Sequence, residues 1–392
     1  MEKYYELKKS LVPCFCDVLY FRSQRDLFTK MDAMRAYTLD CFPENILIDI
    51  LSYLNVQELI RNGRVCKRWR ALIKDQRLWR TVDLSTWKRV TSRVLWTLLR
   101  QYLGRGVCSL HLRGLLQSAR GGSFLSEPWL QTLSSKCPRL RRLTLTHTDL
   151  RGLHSCSLLP PSLQVLELRS CELSPGFFTQ NPLKLVQTVQ KGSGKESQTT
   201  SSSCSCVIRA LILDNVPSFT DQHLKSLSSW EHLQRLELRD VLRVTVAGLK
   251  GCTPPGPHAL KHLTHLELEG FSRHQMAALG LAEGWAGLEH LTLGGREVAP
   301  GLLCLNRLVG LRCLRLRGCR LTETLVLRSC GTLKELRMLE FLQVEFAIEA
   351  ERKDSDERSE NDPMPGLRQA LSNLLPKCSV LFTQCTIIVG AD

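Results

Sequence analysis

Apolar positions fall into one recurring pattern, L-x-x-L-x-L, along most of this chain. It stands in LRRLTLTHT at 140–148, LQVLELRSCEL at 163–173, IRALILDNV at 208–216 and LQRLELRDV at 233–241. It continues in LTHLELEGF at 263–271, LEHLTLGG at 288–295 and LRCLRLRGCRL at 311–321. Apolar and polar residues alternate inside each copy, the period of a strand with one buried face. Leu110 and Leu112 give a degenerate first copy, and Val380 to Phe382 reads as a last strand. The clean steps fall within 22 to 30 residues, room for one strand and one helix or loop. No single unit can bury its own leucines, so the units must stack into a solenoid.

This spacing is the signature of leucine-rich repeats, whose strands line a concave face. Between the strands there are helix starts. Ser126 before Glu127 and Pro128 leads to Leu130 and Leu133, and Thr220 before Asp221 leads to Leu224 and Leu227. Residues 86–105 read as a linker helix with Leu95, Leu98, Leu99 and Tyr102 on one face. Three inserts break the period: a Ser/Thr/Gly/Lys-rich stretch at 187–205, a proline-rich turn at 253–257 and an acidic stretch at 349–362. The first and last have too little apolar content to pack and are expected to be disordered. Leu367, Leu371, Leu374 and Leu375 form an amphipathic C-terminal cap helix.

The periodicity changes ahead of the repeats. In FPENILIDILSYL, residues 42–54, Ile46, Leu47, Ile50, Leu51 and Leu54 form a wide apolar stripe at helical spacing. Pro43 suits the first turn of that helix. Asn55 and Glu58 have capping-box spacing for a second helix. In VCKRWRALIKDQRLW, residues 65–79, Val65, Trp69, Leu72 and Ile73 share one face while Lys67, Arg68 and Arg70 stay out. About 40 residues cannot bury this much apolar surface alone. The cover is either the solenoid or a partner protein.

Residues 39–80 resemble an F-box: P-E-x-I-L-x-x-I-L-S-Y-L, then V-C-K-R-W-R-x-L, then L-W, with Phe42 where leucine is usual. Followed by leucine-rich repeats, this is the plan of the F-box and leucine-rich-repeat protein family. The resemblance implies an α/β chain, an N-terminal three-helix F-box followed by a curved leucine-rich-repeat solenoid with a parallel concave sheet. The domains are then an N-terminal extension at 1–36, the F-box at 37–85, the linker helix at 86–105 and the repeats with their cap at 106–392. It further implies a substrate-recognition subunit of a Skp–cullin–F-box ubiquitin ligase. The F-box would bind a Skp-type adaptor, and through it cullin and RING subunits. The residues so assigned are Phe42, Pro43, Ile46, Leu47, Ile50, Leu51, Leu54, Val65, Cys66, Trp69, Leu72, Leu78 and Trp79. The repeats would hold the protein to be ubiquitinated. The alternative is a repeat scaffold acting outside a ligase.

Charge and composition change the picture only at the margins. The net charge of +15 permits nucleic acid or membrane surfaces as partners, but no long basic run occurs and neither is expected. No apolar run reaches the roughly 18 residues of a membrane span. The 17 cysteines include no C-x-x-C, and Cys137, Cys171, Cys313 and Cys319 fall at packing positions. Reduced thiols place the protein in the cytosol or the nucleus. No nucleotide loop, nucleophile elbow or metal-ligand spacing is present, and His258, His262 and His265 lack further ligands. The chain reads as a non-catalytic binding device without cofactor or metal.

Alternate strand residues point to the concave face. One row is Thr144, Glu167, Ile212, Glu237, Glu267, Thr292 and Arg315. The next is Thr146, Arg169, Asp214, Arg239, Glu269, Gly294 and Arg317. Glu167, Arg169, Glu237, Arg239, Glu267, Glu269, Arg315 and Arg317 are the candidate substrate contacts. Their charges predict an acidic mid-groove that prefers a basic segment, with an acidic group held at the C-terminal end. The competing reading is charge that keeps an exposed sheet soluble through cross-strand pairs.

Overall fold

The computed structural model describes residues 39, 42–87, 90–114, 125–179, 207–254, 256–280, 287–303, 305–348 and 364–389. The N-terminal extension and the inserts at 187–205 and 349–362 lie outside the described residues. The chain divides into two compact units, Met1–Leu51 and Ser52–Asp392.

In the first unit, helix α1 spans Glu44–Leu51. Pro43 stands just ahead of it, and its carbonyl accepts the Leu47 N–H at 3.2 Å. Proline there forfeits no helical donor.

The second unit opens with two short helices, α2 (Val56–Asn62) and α3 (Lys67–Leu72). The expected capping box forms. Asn55 Oδ1 accepts the Glu58 N–H at 3.0 Å, and Glu58 Oε2 accepts the Asn55 N–H at 2.9 Å. Strand β1 (Thr81–Asp83) follows, then α4 (Ser92–Gln101), the linker helix, shorter than the sequence pattern. Its Leu95, Leu98 and Leu99 are buried as expected.

The main sheet then builds from β2 (Ser109–Arg113), β3 (Arg142–Thr146), β5 (Val165–Arg169), β7 (Ala210–Asp214) and β8 (Arg235–Arg239). It goes on through β9 (His265–Glu269), β10 (His290–Gly294), β11 (Cys313–Arg317), β13 (Met338–Leu342) and β15 (Ser379–Thr383). With β1 at one edge, these make one 11-stranded sheet in which every described pairing is parallel. Two small sheets accompany it. One pairs β4 (Asp149–Leu150) with β6 (Glu172–Leu173), and the other joins β12 (Arg320–Thr322), β14 (Glu345–Ile348) and β16 (Thr386–Val389). Helices fill the return segments, among them α5 (Glu127–Lys136), α6 (Asp221–Ser226) and the cap helix Pro365–Leu374.

The repeat leucines make the core. Leu143, Leu145, Leu166, Leu168, Leu211 and Leu213 have essentially no exposed surface. Burying each such side chain is worth about 1.5–3 kcal/mol. The longest step, from β5 to β7, keeps the same register as its neighbours. An aromatic cluster packs the return there: Phe178 meets Phe177, Phe219 and Trp230 edge to face, and the Trp230 indole donates to the Phe178 carbonyl at 3.2 Å.

The residue after each strand of the main sheet from β3 onward has a left-handed backbone. These are His147, Ser170, Asn215, Asp240, Gly270, Gly295, Gly318, Gln343 and Gln384. A side chain at such a position costs about 1–2 kcal/mol, except where glycine stands or asparagine and aspartate bond locally. Their N–H groups carry the ladder one step past the strands, as in His147 N–H to Arg169 O (2.9 Å) and Gln343 N–H to Thr383 O (2.9 Å).

Buried cysteines pack as apolar groups. Burial pushes the Cys171 thiol up to about 11 and those of Cys319 and Cys330 up to about 12. All described cysteines are free. Cys313 departs from the packing expectation: it stands half-buried on the strand face, in register with His290.

Candidate docking surfaces

The helical stripe of α1 splits in two. Leu47, Ile48 and Leu51 are buried, whereas Ile46 and Ile50, one turn apart, are 40% and 37% exposed. Phe42 and Pro43 are exposed beside them. A stripe this wide covers more of a helix than one packing face takes up, so its rim is left for another surface.

In the second unit, Trp69, Leu72, Leu78 and Trp79 are buried. The Trp79 indole donates to the Ile73 carbonyl at 2.6 Å, and its ring stacks on Tyr102 at 4.7 Å. Six of the assigned adaptor residues, Leu47, Leu51, Trp69, Leu72, Leu78 and Trp79, are thus packing residues in the chain alone, while Phe42, Pro43, Ile46, Ile50, Val65 and Cys66 are open to an interface. Periodicity cannot separate the two, because both need apolar side chains. Leu54 is half-buried. Val65 is exposed, as is Cys66, whose sulfur caps α3 by accepting the Trp69 N–H at 3.4 Å. Tyr53, 71% exposed, was not singled out by the stripe; its place beside Leu54 in an otherwise apolar S-Y-L run was the available signal.

The strand face follows the expected rows residue by residue. Thr144, Glu167, Ile212, Glu237, Glu267, Thr292 and Arg315 are mutual Cα partners across successive strands, continued by Glu340 and Leu381. The second row, Thr146 through Arg317, holds equally. The expected acidic groove is lined by ion pairs, because arginines meet its carboxylates. Glu167 pairs with Arg169 (2.5 Å) and accepts from Thr144 Oγ1 (3.1 Å). Glu237 lies between Arg235 (2.5 Å) and Arg239 (2.7 Å), and Arg239 also reaches Glu267 (2.7 Å). Arg315 pairs with Glu340 (2.5 Å). Arg317 reaches Glu269 at 3.3 Å across an intervening strand, where register places Gly294 between them. A Cβ on Gly294 would come within 2.9 Å of the Glu269 side chain.

The glutamates are thus largely buried and neutralised, while the outer edges of Arg169, Arg235, Arg315 and Arg317 stay open to solvent. Arg235 and Glu340 were missed. The first precedes the two rows considered, and the second lies in LRMLEFL, where Phe341 replaces a repeat leucine. His265 stacks on His290 at 4.0 Å, not on His258 or His262. Burial pushes its pKa down, helped by His290 and Arg235. Among the described residues no group of three or more Asp, Glu, His or Cys is placed to hold a metal ion.

A short helical module that leaves apolar side chains in solvent is followed along the chain by stacked parallel L-x-x-L-x-L turns. Residues 39–85 match the F-box-like family. Human F-box/LRR-repeat protein 12 is 34% identical over 312 residues, covering 77% of this chain and 88% of that protein. The mouse protein of the same name is 34% identical over 313 residues, with the same shares covered. The chain belongs to the F-box/LRR-repeat protein family. Among solved structures it is similar to an internalin C2 from Listeria monocytogenes, at 16% identity and a TM-score of 0.31, over 66% of this chain and 84% of that one.

Proposed function

We propose that this chain is the substrate receptor of a Skp–cullin–F-box ubiquitin ligase. The observation that carries the reading is the pair Ile46 and Ile50, exposed on one helix inside a segment matching the F-box-like family. Apolar side chains in solvent, one turn apart, fit a protein groove. A Skp-type adaptor would cover them, together with Phe42 and Pro43. Val65, Cys66 and Tyr53 would supply further exposed contacts near the start of the second unit.

The strand face would hold the protein to be modified, with Arg169, Arg239, Arg315 and Arg317 and their paired glutamates as its charged contacts. The chain then contributes no bond-making step. It holds a substrate lysine near a ubiquitin-loaded enzyme, replacing bulk concentration by an effective one on the order of millimolar. Such a receptor would work in the cytosol or the nucleus.

The test is Ile46→Glu with Ile50→Glu. Two buried anchors each worth about 2 kcal/mol make adaptor affinity fall at least 30-fold. The thermal midpoint should stay within a few degrees, because both side chains are exposed beforehand. Affinity purification of the unmodified chain should recover cullin and RING subunits. Undiminished adaptor capture by the variant would remove this face from the interface. Adaptor recovered without cullin would leave a scaffold rather than a ligase subunit.

A further inference from the structure

The positions just ahead of the strands form a row of their own, joined by backbone bonds. Cys108 N–H donates to the Arg80 carbonyl at 2.9 Å, Arg141 to Cys108 at 2.8 Å, Gln164 to Arg141 at 2.8 Å and Arg209 to Gln164 at 2.8 Å. The order along the edge is therefore Arg80, Cys108, Arg141, Gln164, Arg209. The adjoining strand-face row, over the same strands, is Thr81, Ser109, Arg142, Val165, Ala210.

These two rows contain four arginines and no aspartate or glutamate. Arg80, Arg141, Arg142 and Arg209 are all exposed, and among the described residues none makes an ion pair. That sets them apart from the arginines of the sheet's middle, which are tied to glutamates. On the face of these strands Glu167 is already held by Arg169 and Thr144, and Asp83 lies against His111 at 3.3 Å. Farther along the same edge Arg312 is matched by Glu289 at 3.5 Å. The next residue of that edge, Arg337, is exposed and makes no ion pair among the described residues, so these two rows hold four unmatched arginines in the first half of the sheet and one at its far end.

We infer that this edge is the substrate-reading surface, and that its partner is an extended protein segment carrying acidic residues at every third position. The inference rests on the receptor reading above and adds the substrate's chemistry to it. Arg80 and Arg141 are two strands apart, as are Arg141 and Arg209, a spacing of about 10 Å each. A segment crossing the strands in the polyproline II conformation advances about 3.1 Å per residue with three residues per turn, so residues three apart face the same side and span one interval. Guanidinium groups take carboxylates through two parallel N–H bonds, which favours such a segment over one merely bearing charge. Val165 and Ala210 leave small apolar side chains between the arginines for the intervening residues.

The test uses the full chain and fluorescein-labelled 15-residue peptides. One carries glutamate at every third position among serine and valine, one has lysine in those places, and one has the same glutamates in a single run. Fluorescence anisotropy is read at 50 and 300 mM NaCl, beside an RNA oligonucleotide of equal length. The spaced glutamate peptide should bind at least tenfold tighter than the other two, and more weakly at the higher salt. Arg141→Glu, Arg142→Glu and Arg209→Glu together should abolish the preference while adaptor capture is unchanged. The milder Arg→Gln set at the same three positions, which removes charge without reversing it, should cost at least tenfold.

Binding unaffected in both sets, equal binding of the lysine or clustered peptide, or tighter binding of the RNA would each overturn the inference. Failure of adaptor capture by the unmodified chain would instead overturn the receptor reading. Arg80 is left intact throughout because it lies within the F-box-like segment.

Discussion

Replacing Arg239 by methionine removes a guanidinium that serves two carboxylates at once. Its Nη2 donates to Glu237 at 2.7 Å and its Nε to Glu267 at 2.7 Å. The side chains of Glu237 and Glu267 are 3% and 11% exposed, and that of Arg239 is 24% exposed. Glu237 keeps Arg235 after the change, but Glu267 loses the one ion-pair partner found for it among the described residues. Each charge-assisted bond is worth about 1.5–3 kcal/mol, and orphaning a buried charge costs about 3–5 kcal/mol. The water that reaches Arg239 puts the expected loss at the lower end, about 3 kcal/mol. Methionine preserves most of the apolar stem, so little of this is packing. In a Glu267→Gln background the same change should cost about 1.5 kcal/mol less, because the charge to be orphaned is gone. Urea unfolding of the four chains at pH 7.5, followed by circular dichroism, measures both quantities. A loss under 1 kcal/mol, or no coupling in the cycle, would mean that these carboxylates are hydrated and open to ligands. The acidic-groove reading would then return.

Two further outcomes follow from the backbone and from a buried imidazole. Gly318 has φ +56° and open space where a Cβ would stand, so Gly318→Ala should cost about 1 kcal/mol from conformation alone, while His147→Gly should gain about 0.5 kcal/mol. Unmoved urea midpoints in both would remove the left-handed ladder from the stability argument. His223 is buried with Nε2 donating to the Ser174 carbonyl at 2.9 Å and Nδ1 accepting the Thr220 N–H at 3.1 Å. Burial lowers its pKa, only partly opposed by the Ser174 carbonyl. As pH falls below about 6.5, the unfolded chain takes up a proton that the fold refuses, so stability falls by up to about 1.4 kcal/mol per pH unit from this site. His223→Gln should flatten that part of the profile between pH 7.5 and 5.5; identical slopes would contradict it.

The rows of the strand face were legible because a strand's side chains alternate with a period of two and the buried leucines set the phase. Given Leu143 and Leu145, Thr144 has nowhere to point but outward. The charge state of the face was not legible in the same way. Whether Glu237 meets solvent or an arginine depends on Arg235, two residues back on its own strand, and on the length of the Arg239 side chain across to Glu267. The strand Met338–Leu342 escaped the pattern because Phe341 fills a leucine's place, and with it went Glu340, the partner of Arg315. On α1 the sequence marks the apolar stripe but not its division. Leu47 and Ile46 are equally apolar neighbours, and only packing assigns one to the core and the other to solvent.

The reach of Arg317 to Glu269 over Gly294 bears on how far this solenoid can be treated as interchangeable parts. A stack in which each turn touches only its neighbours allows a turn to be deleted, duplicated or grafted, with a stability change equal to one unit plus its contacts. Here a charge pair spans a whole turn and depends on the turn it crosses having no side chain at that position. Transplanting a consensus repeat into the place of β10 would put a side chain where Gly294 stands and sever a bond between two turns that were never altered. The stretch from β9 to β11 therefore behaves as a three-turn block, and exchange of repeats within this chain should respect its ends.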